Sequence, residues 1–373
     1  MTSQARLERN LGHLVNAVSR IPSFIRTHVG IRKAPEWICV AEPAGWSISE
    51  DAKFVSGQMH AYRIGSVIVS RPDLIAGHIL HYCSLHTYSL RRRAWAAGRN
   101  KHVVTCFHGD FGLDPEMDRM LNQILVDKVC LSALIVSCSI MRQRFISWGM
   151  PEEKIHLIPL PVDGSVFRPN PELREKVRRE AGIPPGTIVI GSFQKDGIGH
   201  TDGLAPKMIK GPDIFCDVVE RLSHRYPIMV FLTGPARGYV KQRLDSAGVR
   251  YVHQFAGDLA TVAGYYAALD IYLMASREEG GPKSLLESLA SGIPFIGTEV
   301  GMVGDLLKSG ENGWVCPIDD TDALVEACEK VILRGDVTEV VRRRGLEIVK
   351  NYAPDVIGKR YVDIYRKFAI GSN

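Results

Sequence analysis

Residues 279–287, with the sequence EGGPKSLLE, carry the most recognisable chemistry in the chain, since two carboxylates bracket a glycine pair, a proline, a lysine and a serine. Gly280 and Gly281 leave the backbone free to turn sharply and to approach a ligand without an intervening Cβ atom. Pro282 suits the first position of a helix, and leucines at helical spacing follow it. A glycine loop that opens into a helix offers free amides and the positive end of the helix dipole to an anion, most often a phosphate. The segment therefore predicts a phosphate site that includes the amides up to Leu285.

Other side chains of this segment suit the groups that would flank the phosphate. Lys283 adds a positive charge and Ser284 a hydroxyl at the predicted site. Glu287 stands about 7 Å further along the helix axis, where its carboxylate can accept a hydrogen bond from a ribose, and Glu279 precedes the turn, where a second polyol could lie. A sugar at each end of a diphosphate describes a nucleotide sugar. The alternative is a surface helix with a Lys283–Glu287 pair, which would contribute only a few tenths of a kcal/mol and would leave the glycines unexplained.

The segment and the stretches that follow it resemble the E-x7-E region of the retaining GT-B glycosyltransferases of family four. The similar stretches are residues 290–298 (ASGIPFIGT), Gly301 and residues 310–315 (GENGWV). The resemblance implies an α/β protein of the GT-B class, in which two doubly wound Rossmann-like domains face each other across a cleft. It also implies that Glu279 faces the donor sugar and that Glu287 faces the nucleotide ribose.

Two further segments are similar to elements of that family. Lys210 opens residues 210–215 (KGPDIF), and the resemblance makes it the lysine that contacts the diphosphate. Such a charge-assisted hydrogen bond contributes about 1.5–3 kcal/mol. His108 follows an apolar strand in residues 107–112 (FHGDFG), where the family places a histidine near the donor sugar and the reaction centre. The alternative for His108 is a buried loop histidine whose hydrogen bonds are satisfied.

The chain departs from the family pattern directly after the strand that ends at Gly191. The family has an arginine there, about six residues before the diphosphate lysine, whereas this chain reads SFQKDG and continues into a longer loop. We expect Lys195 to supply the second positive charge at the diphosphate, with Lys207 as the second choice. Either residue could instead be an ordinary exposed lysine.

Length and composition indicate a globular protein of two domains. The 373 residues are 45% hydrophobic and 23% charged, and the net charge of +5 is too small to imply a nucleic-acid partner. Short apolar runs alternate with helical stretches, which predicts parallel α/β sheets. We expect an acceptor-side Rossmann-like domain over residues 1–169 and a nucleotide-sugar-binding domain over residues 170–352. The resemblance implies that a terminal helix, over residues 353–373, crosses back onto the first domain.

The remaining features bear on location. The eight cysteines show no C-x-x-C and no metal-type spacing with histidine, which indicates small buried side chains in a reducing compartment. The sequence begins without an apolar leader and contains no run of about 20 apolar residues, so we expect a cytoplasmic protein. An amphipathic helix predicted over residues 7–21 carries arginines. It suits a core-facing helix with solvated basic residues, and the alternative is peripheral contact with the inner face of the membrane.

These features together predict a retaining glycosyltransferase that moves a sugar from a nucleoside diphosphate sugar to a glycan, a lipid or a small molecule. Lysines and helix amides would stabilise the charge on the leaving diphosphate, so neither a metal ion nor a cofactor beyond the donor is expected. His108 and Glu279 would hold the sugar in a reactive pose. Two alternatives remain open: an epimerase or hydrolase on the same scaffold, and a non-catalytic protein that binds nucleotide sugars.

Overall fold

The protein forms two compact α/β units, and each is built on a six-stranded parallel sheet. The structure, a computed structural model, describes residues 35–41, 47–73, 75–91, 100–199 and 201–370. The helix predicted over residues 7–21 lies outside these residues. The first unit contains residues 1–159 and 354–373, and the second contains residues 160–353. The two parallel sheets confirm the predicted α/β class with two doubly wound domains.

The sheet of the first unit has the strand order β2-β1-β3-β4-β5-β6. Its strands are β1 (Trp37–Val40), β2 (Ser66–Val69), β3 (Ile79–Tyr82), β4 (Lys101–Cys106), β5 (Ala133–Val136) and β6 (Ile155–Leu157). The helices described in this unit are α1 (Ser47–Ala61), α2 (Leu85–Arg91), α3 (Pro115–Val126), α4 (Ser139–Ser147) and α13 (Pro354–Ile370). β1 has β2 on one side and β3 on the other, so the winding of the sheet reverses at the β1/β3 pair.

The strands of this sheet form because their sequences are short, continuous apolar runs. β1 (WICV) and β5 (ALIV) are buried at every position, as parallel strands covered on both faces require. The C-terminal helix α13 completes the unit by packing along α1. It is fixed at its far end by Tyr365, whose hydroxyl donates to the carbonyl of Pro35 at 2.8 Å.

The sheet of the second unit has the order β12-β11-β10-β7-β8-β9, with the reversal at the β7/β10 pair. Its strands are β7 (Ile188–Ser192), β8 (Ile228–Thr233), β9 (Tyr251–Gln254), β10 (Ile271–Met274), β11 (Phe295–Thr298) and β12 (Trp314–Cys316). Its helices are α5 (Pro171–Glu180), α6 (Pro212–Ser223), α7 (Gly238–Ser246), α8 (Leu259–Ala267), α9 (Lys283–Ala290), α10 (Val303–Leu306), α11 (Thr321–Leu333) and α12 (Gly335–Ile348). The three-residue strand β12 is the one strand of this sheet that the apolar runs did not indicate.

The boundary between the compact units lies between Pro159 and Leu160, whereas the sequence analysis set the domain edge at residue 169. The intervening segment is tied to the second unit by its own contacts. The amide of Val162 donates to the carbonyl of Tyr352 at 2.9 Å, and the ring of Phe167 packs on Tyr266 at a centroid distance of 5.8 Å. Among the helices so described, none combines the length and the apolar character that crossing a bilayer requires.

Candidate active site

The predicted donor residues of the second unit gather at the carboxyl ends of β7 and β10. These strands are direct neighbours, and the winding of the sheet reverses between them. Lys210 lies on the connection that leaves β7, and Glu279 lies on the connection that leaves β10. Ligands of open α/β sheets bind at such a reversal, outside the carboxyl ends of the strands.

Lys210 and Glu279 form an ion pair at this position. Nζ of Lys210 lies 2.5 Å from Oε1 of Glu279, although the two residues are 69 positions apart in the chain. The hydroxyl of Ser276 donates to the same carboxylate oxygen at 3.0 Å. The two charged side chains retain 17% and 11% of their exposure, so both are largely buried but still reach the surface. The structure therefore brings together two of the three residues to which the sequence analysis assigned a catalytic role.

A left-handed glycine brings Lys210 to this place. Lys210 ends a 3-10 turn (Met208–Lys210), and Gly211 follows it with φ of +59°. A Cβ atom on Gly211 would lie 1.8 Å from the carbonyl oxygen of Ala275, just beyond β10. Only glycine fits both the backbone conformation and the close approach. The glycine in KGPDIF is thus explained by the contact that holds Lys210 against the end of β10.

Arg277 fastens the same two connections together, and the sequence analysis missed it. Its guanidinium contacts both carboxylate oxygens of Asp213 at 2.9 and 2.8 Å and donates to Asp319 at 2.7 Å. Its backbone amide donates to the carbonyl of Ile209 at 2.8 Å. A bidentate arginine–carboxylate pair is geometrically specific as well as strong. Arg277 therefore positions the turn that carries Lys210, and its place two residues before Glu279 was the only signal in the sequence.

Gln194 links the end of β7 to the same ion pair. Its side-chain amide donates to the carbonyl of Lys210 at 2.8 Å, and its side-chain oxygen accepts from the hydroxyl of Ser276 at 3.3 Å. The sequence analysis passed over Gln194 in favour of the neighbouring Lys195. In the structure, Gln194 holds the backbone of Lys210 and the hydroxyl of Ser276, which in turn contacts Glu279.

The two lysines proposed for the second positive charge stand at the base of one hairpin. Gly197 and Pro206 pair as an antiparallel bridge, and the amide of Lys207 donates to the carbonyl of Asp196 at 2.7 Å. Lys195 immediately precedes Asp196, so both lysines lie at the same end of this hairpin, and both are partly buried. The choice between Lys195 and Lys207 therefore stays a prediction.

A buried arginine lies beneath that hairpin. The side chains of Arg237 and Asp196 are 0% and 1% exposed, and their nearest charged atoms are 3.1 Å apart. The guanidinium also donates to the hydroxyl of Ser192 at 3.2 Å and to the carbonyl of Gln194. Arg237 follows β8, so its contact with the β7 connection could not be read from sequence spacing.

The start of α9 differs by one residue from the prediction. Pro282 is the N-cap, with φ of −66° and ψ of 111°, and the helix begins at Lys283. Pro282 makes no side-chain cap hydrogen bond, so the first turn of this helix is not capped by a side chain at its own N-cap. The amide of Leu285 donates to the carbonyl of Pro282 at 3.1 Å, so the predicted phosphate site does not include that amide. An anion could complete the first turn only at the earlier amides.

The backbone conformation that requires glycine occurs at Gly301, not at the predicted pair Gly280 and Gly281. Gly280 and Gly281 do not adopt positive φ, but Gly301 does, with φ of +53°. A Cβ atom on Gly301 would lie 2.1 Å from the carbonyl oxygen of Gly280, and that carbonyl accepts from the amide of Met302 at 2.8 Å. The turn at Gly301 therefore supports the loop before α9, which corrects the conformational reason given for the glycine pair.

Glu287 is held by an aromatic neighbour. Its Oε2 accepts from the hydroxyl of Tyr266 at 2.9 Å. Burial raises the pKa of Glu287, although the hydrogen bond from Tyr266 and the charge of Lys283 act in the opposite direction. Burial also raises the pKa of Tyr272 to about 12, against a hydrogen bond with Ser284 that lowers it. Glu287 and Ser284 of α9 thus face two buried tyrosines, Tyr266 and Tyr272, that the sequence did not indicate.

His108, the third predicted catalytic residue, belongs to the first unit. It lies on the connection after β4, and its side chain is exposed, which contradicts the alternative of a buried histidine. The loop is fixed by Arg144, which pairs with the carboxylate of Asp110 at 3.0 Å and donates to the carbonyl of Gly109 at 3.0 Å. The imidazole is therefore presented from an anchored loop at the carboxyl end of its own sheet.

The geometry of the second unit supplies what a phosphorylated sugar requires. A lysine and a carboxylate lie together, a helix begins without a side-chain cap at its N-cap, and a second carboxylate with a raised pKa follows along that helix. A cation and a helix N-terminus suit a phosphate, and carboxylates accept hydrogen bonds from sugar hydroxyls.

Comparison with known proteins gives two family matches and a set of relatives. The model of Glycosyltransferase Family 4 matches residues 22–166, and the model of Glycosyl transferases group 1 matches residues 196–334. The lipopolysaccharide core biosynthesis mannosyltransferase LpsB of Rhizobium meliloti (strain 1021) is 28% identical over 176 residues, which cover 44% of this chain and 47% of that protein. The N-acetyl-alpha-D-glucosaminyl L-malate synthase of Bacillus anthracis is 22% identical over 306 residues, which cover 80% and 76%.

Among solved structures, Anabaena Alr3699/HepE in complex with UDP and glucose superposes with a TM-score of 0.73 at 15% identity, over 90% of this chain and 100% of that one. The likeness shows a shared fold of two Rossmann-like units. The match of residues 22–166 covers most of the first unit and extends seven residues into the second, and the match of residues 196–334, which contains residues 279–287, lies within the second unit. The chain belongs to the GT-B glycosyltransferases of family four.

Proposed function

We propose that this chain is a retaining glycosyltransferase that moves a sugar from a nucleoside diphosphate sugar to an acceptor. The observation that carries the proposal is the contact of 2.5 Å between Lys210 and Glu279, beside the open start of α9. This contact brings together Lys210, which suits the diphosphate, and Glu279, which suits the sugar. A donor whose β-phosphate meets Lys210 would bring its sugar within reach of Glu279.

The proposed chemistry depends on charge that develops on the leaving diphosphate. Lys210 and the first amides of α9 would stabilise that charge, and removal of one such donor typically costs 10²–10³-fold in rate. Lys195 or Lys207, at the base of the hairpin, would add a second positive charge. These groups take the place that a divalent ion has in other transferases, so we expect transfer that is independent of added metal.

Retention of configuration is part of the proposal. The transition state would have oxocarbenium character at the sugar carbon, as in glycoside hydrolysis. The leaving phosphate oxygen would take the proton of the acceptor hydroxyl on the same face of the sugar, so no protein nucleophile is required. Within the second unit, Glu279 would orient the donor sugar and Glu287 would accept from the ribose; the role assigned to His108 stays a prediction.

The donor is the first unknown that experiment should settle. Anabaena HepE was crystallised with UDP and glucose, so UDP-sugars are the first candidates, followed by GDP- and ADP-sugars. Calorimetric titration of the full-length chain with each nucleoside diphosphate and its sugars would identify the base and then the sugar. The same titrations with a chelator present would test metal independence.

Product analysis then separates the proposed reaction from its rivals. With the donor known, proton NMR of the product formed on a panel of glycan, lipid and small-molecule acceptors should show the anomeric configuration of the donor. An inverted anomer would refute retention. Free sugar without transfer would indicate a hydrolase, and a sugar epimerised on the nucleotide would indicate an epimerase. Tight binding without donor cleavage on any acceptor would favour a non-catalytic binding protein.

A further inference from the structure

Two cysteines and a histidine lie together at the carboxyl ends of β1 and β3 in the first unit. Cys39 of β1 pairs with His81 of β3, and Cys83 directly follows β3 on the same face of the sheet. Their two sulfur atoms and a ring nitrogen of the histidine all lie within 4.8 Å of one another. The three side chains are 0%, 2% and 2% exposed, in chain order. The group thus stands, closed from solvent, where the winding of this sheet reverses.

The imidazole of His81 is oriented by a hydrogen bond on the side away from the thiols. Its Nε2 lies 2.7 Å from the hydroxyl of Thr105 in β4, and its Nδ1 lies 3.9 Å from Sγ of Cys83. The rings of Trp37 and Tyr361 pack against it at centroid distances of 5.3 and 5.8 Å. Metal-binding histidines usually donate their second N–H to such an acceptor, which fixes the tautomer. Nδ1 is therefore the nitrogen directed at the sulfur atoms.

The chemistry of the group selects one class of ligand. Thiolate sulfur and imidazole nitrogen are preferred by Zn²⁺ and Cu⁺, whereas Mg²⁺ and Ca²⁺ require oxygen. Zn²⁺ held by two thiolates and a neutral imidazole carries no net charge, so its burial avoids the cost of an isolated ion in an apolar interior. A Zn–S bond of about 2.3 Å sets the sulfur atoms of a tetrahedral site roughly 3.8 Å apart. The present spacing therefore needs to contract by at most about 1 Å.

We propose that Cys39, His81 and Cys83 supply three ligands to one thiophilic d¹⁰ ion, either Zn²⁺, whose fourth ligand would be a water, or three-coordinate Cu⁺. Binding of Zn²⁺ displaces the two thiol protons to solvent and leaves both thiolates and the neutral Nδ1 bonded to the ion. The ion would join β1 to β3 at the reversal point, as a cross-link within the sheet. The spacing of these residues in the sequence gives no indication of the site, because parallel neighbours are brought together only by the fold.

The test uses the purified full-length chain, reduced, stripped with a chelator and then loaded separately with Zn²⁺ and with Cu⁺. We expect elemental analysis to show one ion per chain and the melting temperature to rise when the ion binds. The tighter binder of the two, Zn²⁺ or Cu⁺, is then the ion that the site selects. Co²⁺ in place of Zn²⁺ should show the sulfur-to-cobalt charge-transfer absorption of two thiolates. A chain that takes up neither ion, or a Co²⁺ spectrum without that absorption, overturns the proposal.

Variants locate the ion. Cys39→Ser and Cys83→Ser should lower the affinity for the ion at least 100-fold, whereas Cys106→Ser, which changes an equally buried cysteine of β4, should leave one ion per chain. Thr105→Val preserves the shape of a strand residue and should weaken binding by about 10–100-fold through the orientation of His81, which keeps the test decisive if a serine variant does not fold. Equal affinity in Thr105→Val and the wild type, or loss of two free thiols to a Cys39–Cys83 disulfide in place of metal uptake, would refute the site.

Discussion

The two sheets differ in strand order, but both are parallel and both reverse their winding between two adjacent strands. The groups at the two reversals differ in kind. At the β7/β10 pair the second unit holds charged groups, chiefly Lys210 with Glu279, and these side chains still reach the surface. At the β1/β3 pair the first unit holds neutral and soft groups, Cys39 and His81 among them, enclosed by aromatic rings.

The difference shows what topology determines and what side chains determine. A reversal between parallel strands is where ligands of open α/β sheets bind, and both sheets contain one. Charged side chains that reach the surface suit an exchangeable anionic ligand such as a nucleotide. Buried thiols beside an oriented imidazole suit a ligand that enters once and stays. The same fold element thus serves a transient ligand in one unit and, as we propose, a structural ion in the other.

The largest expected loss of stability comes from breaking the buried ion pair between Asp196 and Arg237 in the second unit. Asp196→Ala leaves the guanidinium of Arg237 buried without its carboxylate, which should lower the free energy of unfolding by about 3–5 kcal/mol. Urea denaturation would measure the loss. Glu326→Ala, which breaks the exposed pair with Lys330, is the matched control and should cost no more than about 1 kcal/mol.

A double variant sharpens this prediction. Asp196→Ala combined with Arg237→Leu removes both charges, so most of the lost stability should return. If the single and double variants are equally unstable, the packing of the hairpin matters and the charge pair does not. The buried pair of the second unit would then contribute no stability through its charges.

The site residues that could be proposed from the sequence belong to contiguous motifs. Glu279 and Glu287 stand out because two glycines, a proline and the start of a helical pattern lie between them, whereas Lys210 was proposed from the family resemblance of its segment. Arg277 and Gln194 were missed because their partners come from other connections of the sheet. Their roles depend on distances that arise only when β7 and β10 become neighbours.

The fold was predictable for a similar reason, and so were its exceptions. Strands such as β8 (IMVFLT), buried at all positions, are visible as apolar runs, whereas β12 has three residues (WVC) and no run to reveal it. Pro282 was predicted as the first residue of α9, but it is the N-cap and the helix begins at Lys283. Proline is compatible with both positions, so the sequence did not distinguish them. The group formed by Cys39, His81 and Cys83 could not be recognised from the sequence, since Cys39 meets the other two only when β1 pairs with β3.

The next largest effect should come from Lys210. Lys210→Ala removes the positive charge beside the proposed diphosphate, so transfer should fall about 10²–10³-fold. This loss should exceed what the lower stability explains, since Glu279 also loses its partner in a largely buried pair. Lys330→Ala removes a lysine from an exposed pair and should leave transfer unchanged. Steady-state kinetics and thermal melts on the same samples distinguish the outcomes. Equal loss of activity and of stability would make Lys210 a structural residue and would remove the functional half of the comparison.

A fall in pH should change the stability contributions of His102, in the first unit, and Glu287, in the second unit, in opposite directions. Burial lowers the pKa of His102 in β4 to about 4, so the unfolded chain binds the extra proton between pH 4 and 6.5, and the stability contributed by this neutral histidine is lost as pH falls through that window. Burial raises the pKa of Glu287, so here the folded chain binds the proton more readily, and the contribution of this residue declines as pH rises above its unfolded value.

Denaturation at several pH values would resolve the two signs. The difference in unfolding free energy between the wild type and His102→Phe should change by at most about 3 kcal/mol between pH 7 and pH 4, with the wild type losing more stability. The corresponding difference for Glu287→Gln should change in the opposite direction. Parallel pH profiles for both variants and the wild type would show that neither group differs in pKa between the folded and unfolded states.

The smallest expected effect tests whether Glu287 belongs to the site at all. Glu287→Gln removes the charge that would accept from a ribose hydroxyl, so the dissociation constant of the nucleotide should rise about tenfold, the equivalent of one charge-assisted hydrogen bond. Tyr266→Phe removes only the hydroxyl that holds the carboxylate at 2.9 Å and should weaken binding less, while Glu326→Gln on the exposed face of α11 should have no effect. Calorimetric titration with the nucleoside diphosphate gives all three values. If Glu287→Gln binds as the wild type does while Lys210→Ala does not, the second unit holds the phosphate alone, and the raised pKa of Glu287 reflects only its packing against Tyr266.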